Sequence, residues 1–243
     1  MSLKTYINSR MQHAKAMQRF RNQFDQFTKM DLSKRFMLNW VDRLPCLDEA
    51  TVETKFDAHY IYHPAWAARI LAQTNPTLHT DISGSLSFCT IASAFMKVQF
   101  FDYRPAKITL DGLTTDKADI LNLPFKDGSI ESISCMHVVE HIGLGRYGDA
   151  LDPDGDLKAI AELKRVTRSG GTLLFVVPIG RIAKVVYNAH RIYTYRQIVD
   201  LFDGFEVRNF SLITDRGVFN PHSNENEAGM QKYGCGCWCF QKK

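Results

Sequence analysis

An acid, a turn of small residues and a second acid stand in a spacing that could handle a nucleoside. Thr80-Asp81-Ile82-Ser83-Gly84-Ser85-Leu86-Ser87 leads from a β-like stretch through small residues into a helix-forming one. Small residues let a backbone approach a ligand closely, and a helix start offers N–H donors. Turn geometry alone is the plainer use of such a segment. Asp102 closes the next β-like run, 18 residues beyond Gly84. A carboxylate there can accept two hydrogen bonds from a ribose diol, and its pairing with the preceding turn favours that use over capping a loop. Two other clusters imitate metal sites. Asp152-Pro153-Asp154-Gly155-Asp156 begins like a calcium loop, but Gly stands at the fourth position instead of the sixth and Leu163 where the twelfth-position Glu belongs. An acidic helix-capping turn is expected instead. Cys235-Gly236-Cys237-Trp238-Cys239 puts three thiols on one face of a terminal strand, as small apolar fillers; the paired spacing and fourth ligand of a zinc site are missing. No metal is expected.

These residues need a frame. From residue 77 onward, short β-branched and aromatic runs alternate with helical stretches, the pattern of βαβ units around a mainly parallel sheet. Strands are expected at Leu78–Ile82, Val98–Asp102, Ala118–Ile120, Ile130–Met136, Thr172–Pro178, Glu206–Ile213 and Gly234–Phe240. Helices should connect them near Leu86–Phe95, Asp156–Thr167 and Thr194–Phe202. Ahead of this, Leu3, Tyr6, Ile7, Met11, Ala14, Met17, Phe20, Phe24 and Phe27 form one stripe on a helix whose other face carries Lys4, Arg10, Lys15, Arg19 and Arg21. Asp31 is placed to cap a second helix holding Phe36, Trp40 and Val41, ended by Pro45. The segment Phe56–Leu71 is rich in aromatics and histidine and turns helical with Pro64 in a first turn, closing at Asn75-Pro76. The division expected is a helical extension, 1–75, and an α/β domain, 76–243.

The 243 residues are 45% hydrophobic, enough for a large core and unlike a disordered or fibrous chain. The net charge is +4, yet the first 35 residues carry eight Lys/Arg against two acids, which leaves −2 on the remainder. A basic face for nucleic acid is thus missing from the main part, and no nucleic acid is expected as partner. The basic helix should pack its stripe on its own domain or on a partner. No run of about 18 apolar residues or secretory stretch occurs, so no transmembrane segment is expected and a cytoplasmic location is. Six cysteines without scaffold spacing are expected to be reduced.

Further motifs carry a resemblance. Asp119-Ile120-Leu121-Asn122-Leu123-Pro124-Phe125-Lys126-Asp127-Gly128-Ser129-Ile130 precedes Ser134-Cys135-Met136-His137-Val138-Val139-Glu140-His141-Ile142, and Glu162-Leu163-Lys164-Arg165-Val166-Thr167-Arg168-Ser169-Gly170-Gly171 follows. In this order, over about residues 77–240, they resemble the class I S-adenosylmethionine-dependent methyltransferases. More narrowly, His59–Trp66, the Gly143–Asp156 insertion and Asn188-Ala189-His190-Arg191-Ile192-Tyr193 resemble an uncharacterised family, a domain of unknown function with this fold. The resemblance implies a Rossmann-like, seven-stranded, mainly parallel sheet with an antiparallel C-terminal strand, and S-adenosylmethionine as cofactor. By position, Asp81 and Ser83, Gly84 and Ser85 would face the methionine end, and Asp102 the ribose. Asp119 would accept from the adenine amino group with Ile120 beside the ring, and Cys135, Met136 and His137 would border the sulfonium. Where the superfamily has D-x-G-x-G-x-G, this chain reads D-I-S-G-S-L-S, with Ser at all three glycine positions.

The function implied is methyl transfer to a small-molecule or sugar-containing acceptor. An alcohol acceptor needs a base, and histidine titrates near neutrality. The candidates are His190, which follows the fifth strand, then His137 and His141; each has a structural use as well. His63, Asn188 and Arg191 are the candidate acceptor contacts, Arg191 as partner of an anionic acceptor. The alternative is a non-catalytic binding or scaffold protein with an altered glycine loop. A nicotinamide dehydrogenase would share the first two strands, but Gly84 lacks G-x-G-x-x-G and the H-V-V-E-H-I segment would go unexplained.

Overall fold

A computed structural model describes residues 3–243, which form two compact units divided between Lys55 and Phe56. In the first, α1 (Leu3–Met30) follows the apolar repeat. Phe20 and Phe24 lie 5.9 and 5.0 Å, ring to ring, from Trp40, and Arg21 and Arg43 cover the same indole. The helix expected after Asp31 does not form: there is only a 3-10 turn, Trp40–Asp42. Asp31 instead accepts from the Lys34 backbone and the Ser33 hydroxyl, and Lys34 takes a left-handed φ of 48°, which no helix can continue through.

The second unit opens with α2 (Ala58–Thr74), so the aromatic segment belongs with the sheet domain and not with the extension. The Asp57 carboxylate caps the Tyr60 N–H and sets the start six residues before Pro64. Asn75, at φ 44°, ends the helix. The chain continues through β1 (His79–Asp81), α3 (Leu86–Ala92), β2 (Val98–Asp102), β3 (Leu113–Lys117), β4 (Ile130–Met136), α4 (Gly155–Val166) and β5 (Thr167–Ile179). Then come β6 (Lys184–Val186), β7 (His190–Ile192), α5 (Tyr195–Leu201), β8 (Phe205–Ile213), β9 (Phe219–Asn220), α6 (Glu225–Ala228) and β10 (Gly234–Lys242).

The main sheet has the order β3-β2-β1-β4-β5-β10-β8-β9, parallel from β3 to β5, with β10 antiparallel to β5 and β8. Seven strands make the expected sheet, and a two-residue eighth, β9, borders it. The third strand lies at Leu113–Lys117 instead of 118–120. Gly112, at φ +75°, admits it, since a Cβ there would sit 2.7 Å from the Ser93 carbonyl oxygen. Ala118–Asn122 is the turn that follows, with the Ala118 N–H on the Asp102 carbonyl (3.1 Å). The β6–β7 hairpin forms a separate two-stranded sheet where no strand is expected from the sequence.

Strand alternation sorts the core into two layers. On one face Leu173, Phe175, Val177, Trp238 and Phe240 meet Ala159, Ile160 and Leu163 of α4 and Ile198 of α5. On the other, Leu174, Val176, Cys235, Cys237 and Cys239 meet Trp66, Ala67 and Leu71 of α2 and Phe88, Cys89 and Ala92 of α3. The three thiols of β10 therefore do share one buried face. All six cysteines are free. Asp154 precedes α4 as its cap residue, and Asp152 accepts from the Asp154 N–H and the Lys158 ammonium, an acidic turn at the helix start. No helix among the described residues is long and apolar enough to cross a membrane.

Candidate functional site

From β1 the chain steps outward to β2 and β3, then returns to place β4 on the other side of β1. The strand order therefore reverses between β1 and β4, and the crevice beyond their carboxyl ends is where an open α/β sheet binds ligands. Asp81 is paired in register with Ser134, so both acid and hydroxyl reach this rim. β10 runs the opposite way. Its first residue, Gly234, pairs with Ile179 at the end of β5, which brings Cys235 to the same rim.

Under the crevice runs a directed hydrogen-bond chain. The Ser134 hydroxyl donates to Asp81 Oδ1 at 2.5 Å and Ser83 to Oδ2 at 3.0 Å. With its one proton so committed, Ser134 accepts from His79 Nε2 (2.9 Å), and His79 Nδ1 in turn accepts from Ser132 (2.8 Å). Burial lowers the His79 pKa to about 3, so the ring stays neutral, as this pattern requires. Burial also pushes Asp81 up to about 7, against the two hydroxyls that pull it down. Asp81 is fully buried. It anchors the Ser83–Ser85 turn from below instead of facing a ligand.

The serines that replace glycines turn toward protein partners: Ser83 to Asp81, and Ser85 to the Ser87 hydroxyl at 3.4 Å. At Gly84 the position a Cβ would occupy has, its chain neighbours aside, no atom of the described residues within 4 Å. The turn therefore leaves the space beside its backbone open. Asp102 ends β2 half-exposed; Oδ1 accepts the Arg104 N–H at 2.7 Å, and Oδ2 has no partner among the described residues. Asp119 is exposed, with Oδ1 on the Leu121 N–H at 2.9 Å, and Ile120 is buried beside it. Cys135 and Met136 point into the two core layers, so only His137 of that trio leaves the core.

His137 follows β4 directly and takes a left-handed φ of 55°, a conformation that costs a non-glycine residue about 1–3 kcal/mol. Its N–H still pairs with the Val176 carbonyl (2.9 Å), while Nδ1 donates to Glu140 Oε1 at 2.7 Å. His59 and His63, one helical turn apart on α2, both reach it: ring centroids lie 5.8 and 5.0 Å from His137. Tyr60 stacks on His137 at 5.2 Å. Tyr233 joins His59 (5.3 Å) to His190 (5.1 Å), and His190 lies 6.5 Å from His141. Four expected histidines, 63, 137, 141 and 190, thus meet in one cluster. His59, Tyr60, Glu140 and Tyr233 join the cluster without being among the residues expected there. Only the i, i+4 spacing of His59 and His63 in an aromatic segment signalled two of these contacts.

Burial dominates the cluster's titration, lowering His59 and His137 to about 4 and His63 to about 3 and raising Glu140 to about 7. The His190 and His141 pKa values are also lowered, chiefly by burial. His141 Nδ1 donates to the Ala189 carbonyl at 2.6 Å and so braces the hairpin turn before His190. Asn188 is exposed in that turn.

Arg191 is not available to an acceptor. Its buried guanidinium donates to the carbonyls of Ile142 (2.6 Å), Asp152 (3.4 Å) and Pro153 (3.0 Å) and lies 3.5 Å from the Asp156 carboxylate. Alternation along β7 turns it away from His190 and ties the hairpin to the turn before α4.

Residues 123–227 match the family described as Caenorhabditis protein of unknown function, DUF268. An uncharacterized protein of Methanocaldococcus jannaschii, MJ0638, is 28% identical over 104 residues, 42% of this chain and 40% of that protein. The match thus spans less than half of that relative's length. Among solved structures, an S-adenosylmethionine-dependent methyltransferase of Thermotoga maritima, described as a possible histamine N-methyltransferase, aligns with a TM-score of 0.52 at 17% identity, over 76% of this chain and 92% of that one. The 1,6-didemethyltoxoflavin-N1-methyltransferase of Burkholderia thailandensis, solved with bound 1,6-didemethyltoxoflavin and S-adenosylhomocysteine, aligns at 0.52 with 11% identity, over 75% of this chain and 79% of that one. This is the class I methyltransferase fold. On that methyltransferase fold, the Asp81–Ser85 turn, Asp102 and Asp119 stand at the ends of the first three strands, and the histidine cluster stands over the rim from β4 to β10.

Proposed function

We propose that the chain is an S-adenosylmethionine-dependent methyltransferase whose acceptor is a small or sugar-containing molecule. The observation that carries this is Asp102: a carboxylate at the end of β2, beside the strand-order reversal, with one oxygen fixed by a backbone N–H and the other unpartnered among the described residues. That is what a vicinal diol needs, since a preset carboxylate accepts its hydroxyls without being reorganised. The open space at Gly84 and the inward serines leave room for the methionine end over the turn. Asp119 keeps Oδ2 for an adenine amino group, next to the apolar Ile120.

The cofactor, when bound, supplies an electrophilic methyl group. The protein's part is to hold an acceptor atom in line with it, which is worth several kcal/mol of barrier. His190 is the base in this reading: partly exposed, and kept neutral by burial, so that it can take a proton from the acceptor. Tyr60 and Tyr233, exposed at the cluster's edge, offer ring faces to a flat or sugar-like acceptor. His63 is fully buried, with Nδ1 donating to the His59 carbonyl (2.7 Å), and shapes the cluster from behind.

Calorimetric titration with S-adenosylmethionine and S-adenosylhomocysteine tests this on the wild type and on Asp102→Ala. Two diol hydrogen bonds at about 1–1.5 kcal/mol each should cost about 30–150-fold in affinity. No heat at millimolar ligand overturns the reading, and affinity unmoved by Asp102→Ala overturns the ribose placement. A second reading, a non-catalytic binding module, is favoured by the Ser83–Asp81 bond that closes the turn on itself. It expects binding without transfer, which a labelled-methyl assay over candidate acceptors decides.

A further inference from the structure

We propose that His59, His137 and Cys235 form a binding site for a divalent transition-metal cation of the zinc class. One ligand atom of each lies within 4.8 Å of the others. His137 Nε2 and Cys235 Sγ are 3.5 Å apart. Zinc bonds of about 2.05 Å to nitrogen and 2.3 Å to sulfur at a tetrahedral angle place N and S about 3.6 Å apart, so this edge is already set. The wider edges need His59 to move inward by about 1 Å, which a half-buried imidazole on a helix surface can do by rotation about its side-chain bonds.

His137 is prepared for such a role. With Nδ1 donating to the Glu140 carboxylate, the lone pair stands on Nε2, toward Cys235. Carboxylate, imidazole and metal in line is the arrangement that fixes the tautomer of histidine ligands. The cluster is not fully satisfied among the described residues: Glu140 Oε2 and His63 Nε2 are both buried without a partner there. Folded proteins seldom leave such atoms so, and a cation one imidazole away from Glu140 gives its buried carboxylate an opposite charge. The charges also close. On binding, the Cys235 thiol gives its proton to solvent, and a 2+ cation is balanced by one thiolate and the Glu140 carboxylate.

Two imidazoles and a thiolate select zinc, cobalt or copper over magnesium or calcium. Three protein ligands leave a fourth position for water or a hydroxyl, amine or thiol group of a small molecule, flanked by the exposed Tyr60 and Tyr233. The site needs no methyl donor and stands or falls apart from the methyltransferase reading.

The test uses the full chain, stripped with a chelator and titrated without other ligand. Zn²⁺ is followed in competition with a chromophoric chelator, and Co²⁺ by its visible d–d bands and its thiolate-to-cobalt charge-transfer band. One ion per chain, held more tightly than micromolar, with the charge-transfer band present, is expected. Cys235→Ser should remove that band and weaken binding by at least about 100-fold, and His59→Ala should weaken it similarly. Glu140→Gln should cost about 10–100-fold. Cys46→Ser should change neither. Circular dichroism and thermal unfolding check each variant's fold, and His59, half-exposed on α2, keeps the test informative should Cys235→Ser unfold. Wild type without the charge-transfer band, or affinity unmoved by Cys235→Ser and His59→Ala in folded protein, overturns the proposal.

Discussion

Replacing Ser134 by Ala breaks the hydrogen-bond chain beneath the crevice at its middle link. The hydroxyl it removes donates to Asp81 Oδ1 and accepts from His79 Nε2, so a buried carboxyl loses one of two donors and a buried N–H loses its acceptor. A buried group left unpaired costs about 1–3 kcal/mol, more for a charged one, so Ser134→Ala should cost about 3–5 kcal/mol. Ser132→Ala removes only the donor to His79 Nδ1 and should cost about 1–2 kcal/mol. Urea unfolding reads the difference. With a slope near 3 kcal/mol per molar urea, the midpoint should fall by about 1–1.7 M for Ser134→Ala and about 0.5 M for Ser132→Ala. The gap also depends on pH. Burial raises the folded pKa of Asp81 to about 7, so its contribution to stability is full below the unfolded value and is lost as pH rises through about 7. Ser134 favours the charged form; without it the folded pKa rises further, and the loss continues to higher pH. Ser134→Ala should therefore be costlier at pH 8 than at pH 6, by about 1 kcal/mol. Equal costs for the two alanines, or a penalty independent of pH, would refute the directed chain.

Arg191→Ala should destabilise the protein by about 3–5 kcal/mol, because it strips a buried carboxylate, Asp156, and three carbonyls of their donor; thermal unfolding checks this. In the same variant at a temperature where it is folded, S-adenosylhomocysteine affinity should be unchanged, since the guanidinium faces away from the crevice. His190→Gln should lower methyl-transfer turnover by about 10²–10⁴-fold with cofactor affinity unchanged, measured by labelled-methyl kinetics and calorimetry; a loss confined to affinity would assign His190 to binding.

Much of the frame was legible because local physics decides it. Val98–Asp102 and Ile130–Met136 are β-branched or apolar runs bounded by turns, and both strands form with those limits. Thr194 and Gln197 make a reciprocal capping box, which starts α5 where the sequence placed it. The thiols at 235, 237 and 239 fall on one face because side chains alternate along any strand. Asp57 and Lys34 show the opposite case. A single carboxylate cap moved the start of α2, and one left-handed residue removed an expected helix, since both acts depend on which of several near-equal local bonds forms.

The sequence by itself determined the alternation of strands and helices around a mainly parallel sheet, because apolar periodicity fixes which residues face the core, and its motifs carried the resemblance to the methyltransferases. Only the tertiary structure decided who meets whom at the rim. Asp81, a site residue by motif, is buried as an anchor because Ser134 arrives beneath it on the neighbouring strand. Arg191, an acceptor contact by position, is turned inward because alternation along β7 aims it at carbonyls of a distant turn. Cys235 reaches His137 because β10 runs antiparallel to β5 and so begins at the end where β4 finishes. Such encounters depend on strand order and direction, which no local run of residues encodes.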